Sequence, residues 1–131
     1  MSMLRAPVTP RDHIRGPAQA PVTLVEYGDY QCPYCGIAYP IVEQVREQFQ
    51  QTLRFVFRHF PLTQAHPFAE TAAEAVEFAG AHGRFWDMHD GLYENQASVN
   101  DENLALPLVF TLAEAMGLST AQLRDALARG D

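Results

Sequence analysis

Two cysteines at positions 32 and 35 are the residues of this chain best suited to chemistry. Pro33 and Tyr34 separate Cys32 from Cys35, and the sequence contains no other cysteine. At the start of a helix such a pair can close a small, strained disulfide. The outer thiol, that of Cys32, then meets unpaired helix N–H groups that stabilise its anion. The pair therefore predicts a redox-active site for thiol–disulfide exchange, in which Cys32 attacks and Cys35 resolves the mixed disulfide.

A carboxylate precedes the cysteine pair in a position from which it could take part. Glu26 lies six residues before Cys32, within a stretch that predicts a strand. If its side chain points inward beneath the pair, burial raises its pKa, and it can accept the proton of Cys35 as that thiol attacks. Strand alternation is compatible with this orientation, and a solvent-exposed carboxylate at the strand end is the alternative.

Half of a zinc site is the competing interpretation of the two thiols. Two further ligands would have to be histidines or carboxylates. His59 and His66 are seven residues apart, and His82 and His89 have the same separation. Neither pair has the usual zinc-site spacing of about three to five intervening residues. The sequence therefore favours redox chemistry over a metal-binding module, and it implies no metal and no organic cofactor.

The segments on either side of the two cysteines predict the strands and the helix that position them. Residues 22–27 are rich in β-branched and aromatic side chains and predict a buried strand. Pro33 suits the first turn of the helix that follows, and Pro40 is expected to kink it. Residues 53–57 predict a second strand. Together these elements predict a right-handed strand–helix–strand unit with a parallel strand pair. The reactive group of such a unit lies beyond the carboxyl end of a strand.

The remaining sequence predicts an arm at one end and helices at the other. Residues 1–15 are expected to be an irregular arm because prolines recur too often for a regular helix. Residues 16–62 hold the strand–helix–strand unit, and residues 63–131 are expected to be all-helical. Helices are predicted at 68–81, at 85–93, at 101–116 with an interruption at Pro107, and after a capping box formed by Ser119 and Gln122.

Composition excludes several classes of protein. The chain has 131 residues, 47% of them hydrophobic, and a net charge of −7. These values predict one folded domain and argue against nucleic acid or an anionic membrane as the main partner. No segment approaches the roughly 20 apolar residues of a membrane span. The first residues lack the apolar core of a signal peptide, so we expect a cytoplasmic location, or a periplasmic one if a leader was removed.

The segment that contains the cysteines carries a family resemblance. Residues 16–35, which include Gly16-Pro17 and end in the two thiols, resemble the DsbA-like branch of the thioredoxin-fold thiol–disulfide oxidoreductases. Residues 85–93 are similar to part of the helical insertion of that family. The resemblance covers residues 16 to about 130. It implies an α/β fold with a thioredoxin-like βαβ core and an all-helical insertion domain.

The resemblance also implies roles for individual residues. Cys32 would be the nucleophile, Cys35 the resolving thiol and Glu26 the buried acid, while Pro33 and Tyr34 would tune the redox couple. Strongly oxidising members are implied to carry histidine where Tyr34 stands. Tyrosine offers no positive charge, so we expect a less oxidising couple, between about −270 mV and about −120 mV. The implied partners are protein thiols and disulfides and a second redox protein that recycles the site, with no nucleic acid and no membrane.

The chain departs from this family after its predicted helices. The family resumes its core there with a cis-proline, an antiparallel strand pair and a last helix, and these C-terminal strands are expected to be missing. A truncated chain with an unpaired sheet edge is therefore expected, and it predicts a homo-oligomer or a strand swap. A cis-proline at Pro107 followed by a strand over 106–112 is the alternative to the helix there. A non-catalytic interaction domain that lacks a substrate groove is the alternative function.

Overall fold

A short sheet followed mainly by helices makes up the part of the chain that the structure describes, residues 7–130. The structure is a computed structural model. Its elements, in chain order, are β1 (His13–Arg15), β2 (Val22–Gly28), α1 (Pro33–Gln48), β3 (Leu53–His59), α2 (Ala69–Ala81), α3 (Phe85–Glu94), α4 (Gln96–Val99), α5 (Ala105–Ala115) and α6 (Thr120–Arg129).

The central strand of the sheet is β3. The strand order is β1-β3-β2, with β2 parallel and β1 antiparallel to β3. The parallel register aligns Val22 with Leu53 and Gly28 with His59. Side chains on both faces of β3 are buried, which explains why it is a nearly continuous apolar run. The predicted parallel strand–helix–strand unit is confirmed.

The edge position of β2 corrects one expectation about it. Val22 and Tyr27 are 52% and 51% exposed, because within residues 7–130 only β3 pairs with this strand. The prediction of a strand is confirmed, but the prediction that it is buried is wrong. A β-branched and aromatic run is typical of strands with neighbours on both sides, and this one has a neighbour on one side in the described part of the chain.

The N-terminal segment is more regular than predicted. Residues 13–15 form β1 instead of an irregular arm, with His13 opposite Phe57. Arg15 of this strand makes two hydrogen bonds, of 2.8 and 2.7 Å, with the Asp90 carboxylate in α3. These tertiary contacts hold a segment whose own sequence is too short to signal a strand. The first six residues of the predicted arm lie outside the described residues.

The predicted helices form with two corrections. The helix predicted from residue 101 begins at Ala105, so Pro107 falls in the first turn, where its missing N–H breaks no helical hydrogen bond. The predicted interruption at Pro107 is therefore wrong. The cis-proline alternative is also wrong, because residues 7–130 contain no cis peptide bond. At α6 the Ser119 hydroxyl accepts a hydrogen bond from the Gln122 N–H at 3.2 Å, as the capping box predicts.

Helix α1 contributes less to the core than the helices that follow it. The main core cluster combines β3 with α2, α3, α5 and α6, whereas α1 contains no buried residue and contributes only partly buried side chains. Helix α1 runs on through Pro40, and the kink there stays a prediction. Within residues 7–130, no helix has both the length and the apolar character needed to cross a bilayer.

Candidate active site

The cysteine pair lies directly beyond the carboxyl end of β2, at the first turn of α1. Cys32 is the N-cap residue, with an extended backbone (φ −70°, ψ 120°) and a side chain that makes no capping hydrogen bond, and Pro33 follows in the first turn. The Cys32 carbonyl accepts the N–H of Gly36 at 3.1 Å, which begins the helix. The Cys32 sulfur is therefore placed at the positive end of α1.

The second thiol has different surroundings. Cys35 is partly buried and packs against the core cluster. Burial raises the pKa of Cys35 to about 11, and the neighbouring thiol of Cys32 and the charge of Glu26 act in the same direction. A hydrogen bond with the Asp29 backbone partly opposes them. Cys35 therefore keeps its proton at neutral pH until a base removes it.

The Glu26 carboxylate lies near the second thiol. Glu26 is half-buried on β2 opposite Phe57 of β3, and burial raises its pKa to about 6. The charge of Glu26 contributes to the raised pKa values of both Cys35 and Tyr93. This placement agrees with the inward orientation expected for Glu26 and disfavours the solvent-exposed alternative.

Tyr93 of α3 lies beneath the pair. Its hydroxyl donates to the Asp29 carbonyl at 3.4 Å. A Cβ atom added to Gly28 would come within 3.1 Å of this hydroxyl and would overlap the Phe57 ring, so Gly28 leaves the room that Tyr93 occupies. Burial raises the pKa of Tyr93, and its interaction with the Cys35 thiol adds to that rise. The phenol thus keeps its proton and acts as a donor.

The connection between β2 and α1 is fixed by side-chain hydrogen bonds to the helices. The Gln96 side-chain amide at the start of α4 donates to the carbonyls of Tyr30 and Cys32, at 3.0 and 2.8 Å. The Tyr30 hydroxyl and His89 Nδ1 form a hydrogen bond of 2.8 Å. Burial lowers the pKa of His89 to about 3, so its ring is neutral in this pair. The backbone that presents Cys32 is therefore braced from α3 and α4.

Asp29 joins this connection to the one between β3 and α2. Its side chain is 3% exposed. One carboxylate oxygen accepts from the Gln31 N–H at 2.8 Å. The other accepts from the Leu62 N–H at 2.9 Å and contacts His66 Nδ1 at 2.7 Å. A buried carboxylate with these partners is satisfied, and it fixes both connections at the same edge of the sheet.

Nearly the whole chain matches a known protein family. A family model described as thioredoxin matches residues 8–131. The chain belongs to the thioredoxin family. Its fold is similar to alpha-DsbA1 of Wolbachia pipientis, with a TM-score of 0.78 at 21% identity over 92% of this chain and 61% of that one. It is also similar to oxidised BdbD of Bacillus subtilis, with a TM-score of 0.76 at 28% identity over 88% of this chain and 65% of that one. The expected DsbA-like thioredoxin fold is confirmed.

A segment of an antiporter is also similar to this chain. A Na(+)/H(+) antiporter, NhaA 1 of Salinispora arenicola, is 48% identical over 126 residues, which are 95% of this chain and 18% of the antiporter protein. The thioredoxin-family chain therefore corresponds to a small segment of that relative. It spans about three fifths of the DsbA structure from Wolbachia.

The histidines of this thioredoxin-family chain have partners other than the two thiols. His59 Nε2 contacts a Glu77 carboxylate oxygen at 2.9 Å, and His66 contacts Asp29. Within the described part of the chain, no group of three or more histidine, cysteine and acidic residues has the arrangement to hold a metal ion. The zinc interpretation finds no support in this arrangement.

Two residues of the site were missed by sequence reasoning. Tyr93 was included only in the helix predicted at 85–93, although it lies one turn after His89 on the same helix face. Its side chain is buried, so its hydroxyl needs a partner. Gln96 gave no signal, because a lone glutamine between two helices is an ordinary polar residue. Both come from the helical part of the thioredoxin-family fold, far in sequence from the cysteines they approach.

Proposed function

We propose that this chain is a thiol–disulfide oxidoreductase that exchanges disulfides with protein substrates through Cys32 and Cys35. The observation that carries the proposal is the unequal placement of the two thiols. Both thiols are partly buried. Cys32 caps the N-terminus of α1 with its side chain free of capping hydrogen bonds, whereas Cys35 lies inside the first turn and has a pKa raised to about 11. An outer nucleophile and a protonated inner thiol are what a two-step exchange requires.

The proposed reduction of a substrate disulfide proceeds in two balanced steps. The Cys32 thiolate attacks one substrate sulfur, so that a Cys32–substrate bond forms, the substrate disulfide breaks, and the released thiolate takes a proton. Cys35 then gives its proton to the Glu26 carboxylate and attacks the Cys32 sulfur. The Cys32–substrate bond breaks as the Cys32–Cys35 disulfide forms, and the second substrate sulfur leaves as a thiolate that takes a proton. The substrate gains two electrons and the pair loses two, and the reverse sequence oxidises a dithiol.

Glu26 is the proposed proton acceptor of the second step. Its pKa near 6 leaves it ionised at neutral pH and able to take a proton. The pKa of Cys35 lies well above that value, so proton transfer is unfavourable while both groups are at rest. Formation of the sulfur–sulfur bond consumes the thiolate, and the proton therefore moves as the bond forms.

An exposed apolar surface surrounds the proposed site. Tyr34 and Ile37 on α1 are 81% and 63% exposed, and Phe60 and Leu62 beyond the end of β3 are also exposed. Apolar side chains at this density favour contact with a partner protein. We propose that protein thiols and disulfides bind here, that a second thiol–disulfide protein recycles the pair, and that the edge of β2 supports a homo-oligomer.

A second candidate is a non-catalytic interaction domain. The observation in its favour is the 48% identity between nearly the whole chain and a segment of a Na(+)/H(+) antiporter. Such a domain would contact the transport protein, or a partner of it, without exchanging disulfides. The two candidates differ in one measurable property, which is catalysis of disulfide exchange.

Single-turnover exchange with a peptide disulfide distinguishes the candidates. The reduced chain is expected to reduce the peptide and form its own disulfide. Cys32→Ser should abolish the reaction, and the matched variant Cys35→Ser should accumulate the mixed disulfide, visible as a mass increase equal to one peptide half. Normal exchange by Cys32→Ser, or no exchange by the unmodified chain, would refute the proposed roles and favour the interaction domain.

A further inference from the structure

We infer that Gln96 is a positioning residue of the Cys32–Cys35 pair. Its side-chain amide holds the carbonyls of Tyr30 and Cys32 and thereby favours the dithiol form over the disulfide form. The inference rests on the proposed function, because it concerns the redox equilibrium of the same pair. It is tested on the chain itself, without a protein substrate.

The contact uses the full donor capacity of the amide. Gln96 Nε2 carries two hydrogens and donates to the Tyr30 carbonyl at 3.0 Å and to the Cys32 carbonyl at 2.8 Å. Tyr30 lies in the connection between β2 and α1, and Cys32 is the N-cap of α1. Gln96 Nε2 therefore fixes the distance between the Tyr30 and Cys32 carbonyls, which lie on the turn that precedes α1.

The first turn of α1 leaves space for this amide. A Cβ atom added to Gly36 would overlap the Gln96 side-chain oxygen and lie 2.7 Å from its Cδ. Gly36 has no left-handed backbone angle that would itself require glycine. Glycine is therefore needed at position 36 for packing, because the Gln96 side chain lies against the first turn of α1 at this position.

The charge distribution of the pair makes this contact sensitive to its redox state. In the proposed function the reduced Cys32 sulfur reacts as a thiolate, and the carbonyl of the same residue carries a partial charge of the same sign. An amide donor on that carbonyl lowers the repulsion between the two and holds Cys32 at the positive end of α1. The disulfide form has no such charge. The amide therefore stabilises the dithiol form more than the disulfide form.

Other hydrogen bonds brace the same connection without touching the cysteine backbone. The Gln31 amide donates to the Val99 carbonyl at 3.3 Å and its oxygen accepts from the Phe68 N–H. The neighbour of Gln96, Asn95, donates from its side chain to the Gly91 carbonyl at 2.8 Å, within α3. Asn95 thus provides a matched control: it lies in the same segment and makes a similar hydrogen bond, but it has no hydrogen bond to the pair.

The test is the equilibrium of the chain with glutathione. The disulfide form and two glutathione thiols exchange with the dithiol form and one glutathione disulfide, and alkylation followed by mass measurement gives the fraction of each form. Gln96→Met keeps the side-chain length and removes the donors. It is expected to shift the equilibrium about tenfold toward the disulfide, which corresponds to the net contribution of one neutral hydrogen bond. Asn95→Ala is expected to leave the equilibrium unchanged.

Two further measurements distinguish an effect on the dithiol form from an equal effect on the stability of both redox forms. Gln96→Met should lower the thermal midpoint of the dithiol form more than that of the disulfide form, whereas a brace would lower both equally. Gln96→Lys retains a donor and adds a positive charge, so its equilibrium should lie at the unmodified value or further toward the dithiol. It also keeps the inference testable if Gln96→Met fails to fold.

The outcomes for the inference and for the proposed function are distinct. An unchanged glutathione equilibrium in Gln96→Met, equal lowering of both midpoints, or a Gln96→Lys equilibrium shifted toward the disulfide would overturn the inference. Failure of the unmodified chain to exchange with a peptide disulfide would overturn the proposed function, while the equilibrium of its cysteine pair with glutathione would still report on Gln96.

Discussion

Replacing Glu26 by glutamine should make the folded chain more stable and should also slow its disulfide exchange. Glutamine has nearly the same shape as the carboxylate, but it bears no charge and cannot accept the proton of Cys35. General base catalysis contributes about 100-fold or more to a reaction step. We therefore expect Glu26→Gln to slow the attack of Cys35 on the mixed disulfide by about 100-fold at neutral pH. The first step, attack by Cys32, should be nearly unaffected.

The stability change follows from the pKa of the carboxyl group. Burial raises the pKa of Glu26 to about 6 from an ordinary 4.5, so the folded state binds more protons than the unfolded state between these values. The free energy of unfolding therefore falls as the pH rises through this window, and the loss is complete above about pH 6. The difference corresponds to about 2 kcal/mol, and solvent contact of this half-buried group reduces it to about 1 kcal/mol.

Two assays together check this reasoning. Denaturant unfolding should show Glu26→Gln about 1 kcal/mol more stable than the unmodified chain at pH 8 and equal to it at pH 4. Rapid-mixing kinetics with a peptide disulfide should show the second phase slowed and its rise with pH near 6 abolished. Glu47→Gln, at an exposed position on α1, is the matched control for charge removal. An unchanged second phase, or lower stability of Glu26→Gln at pH 8, would refute the role of this carboxylate.

Three further predictions concern the surroundings of the site. In Cys32→Ser, alkylation of Cys35 should be slow at neutral pH and accelerate in alkali, because burial raises the pKa of this thiol even without the contribution of Cys32; fast alkylation at pH 7 would contradict the burial argument. Gly36→Ala should cost about 1–3 kcal/mol in denaturant unfolding because its methyl group displaces Gln96; Gly117→Ala, where a Cβ meets open space but φ is +77°, gives the cost of backbone strain for comparison. Size-exclusion chromatography should show a homo-oligomer that Val22→Lys, on the free edge of β2, dissociates; a monomer at all concentrations would count against edge pairing.

The cysteine pair and its strand–helix setting were predictable because their signals are local. A proline between two cysteines, after a β-branched run and before a helical pattern, fixes the position of Cys32 within a few residues of chain. The capping of α6 by Ser119 was predictable for the same reason. Glu26 required one further step, the inward orientation of a strand side chain, and the raised pKa agrees with it.

The parts of the structure that the sequence did not predict depend on distant contacts. Residues 13–15 are a strand because β3 pairs with them, and Arg15 is held by Asp90, which is 75 residues away. The exposure of β2 depends on which strands flank it, and a strand's own residues carry no information about that. Gln96 reaches the Cys32 carbonyl across 64 positions of sequence. Such contacts are set by the packing of the helices, which local propensity does not encode.

Helix α1 and its N-cap residue carry the two reacting sulfurs, but the helix has no fully buried side chain. Its backbone hydrogen bonds therefore receive little protection from the core, and transient opening of this helix requires less free energy than opening of α2, whose alanine face is sealed. The helix that undergoes the chemistry is thus better able than α2 to adjust its geometry when the sulfur–sulfur distance changes. The connection that precedes this helix is instead held by hydrogen bonds of the buried Asp29, of Tyr93 in α3 and of Gln96 in α4. The start of the helix is therefore fixed, while the rest of the helix can move.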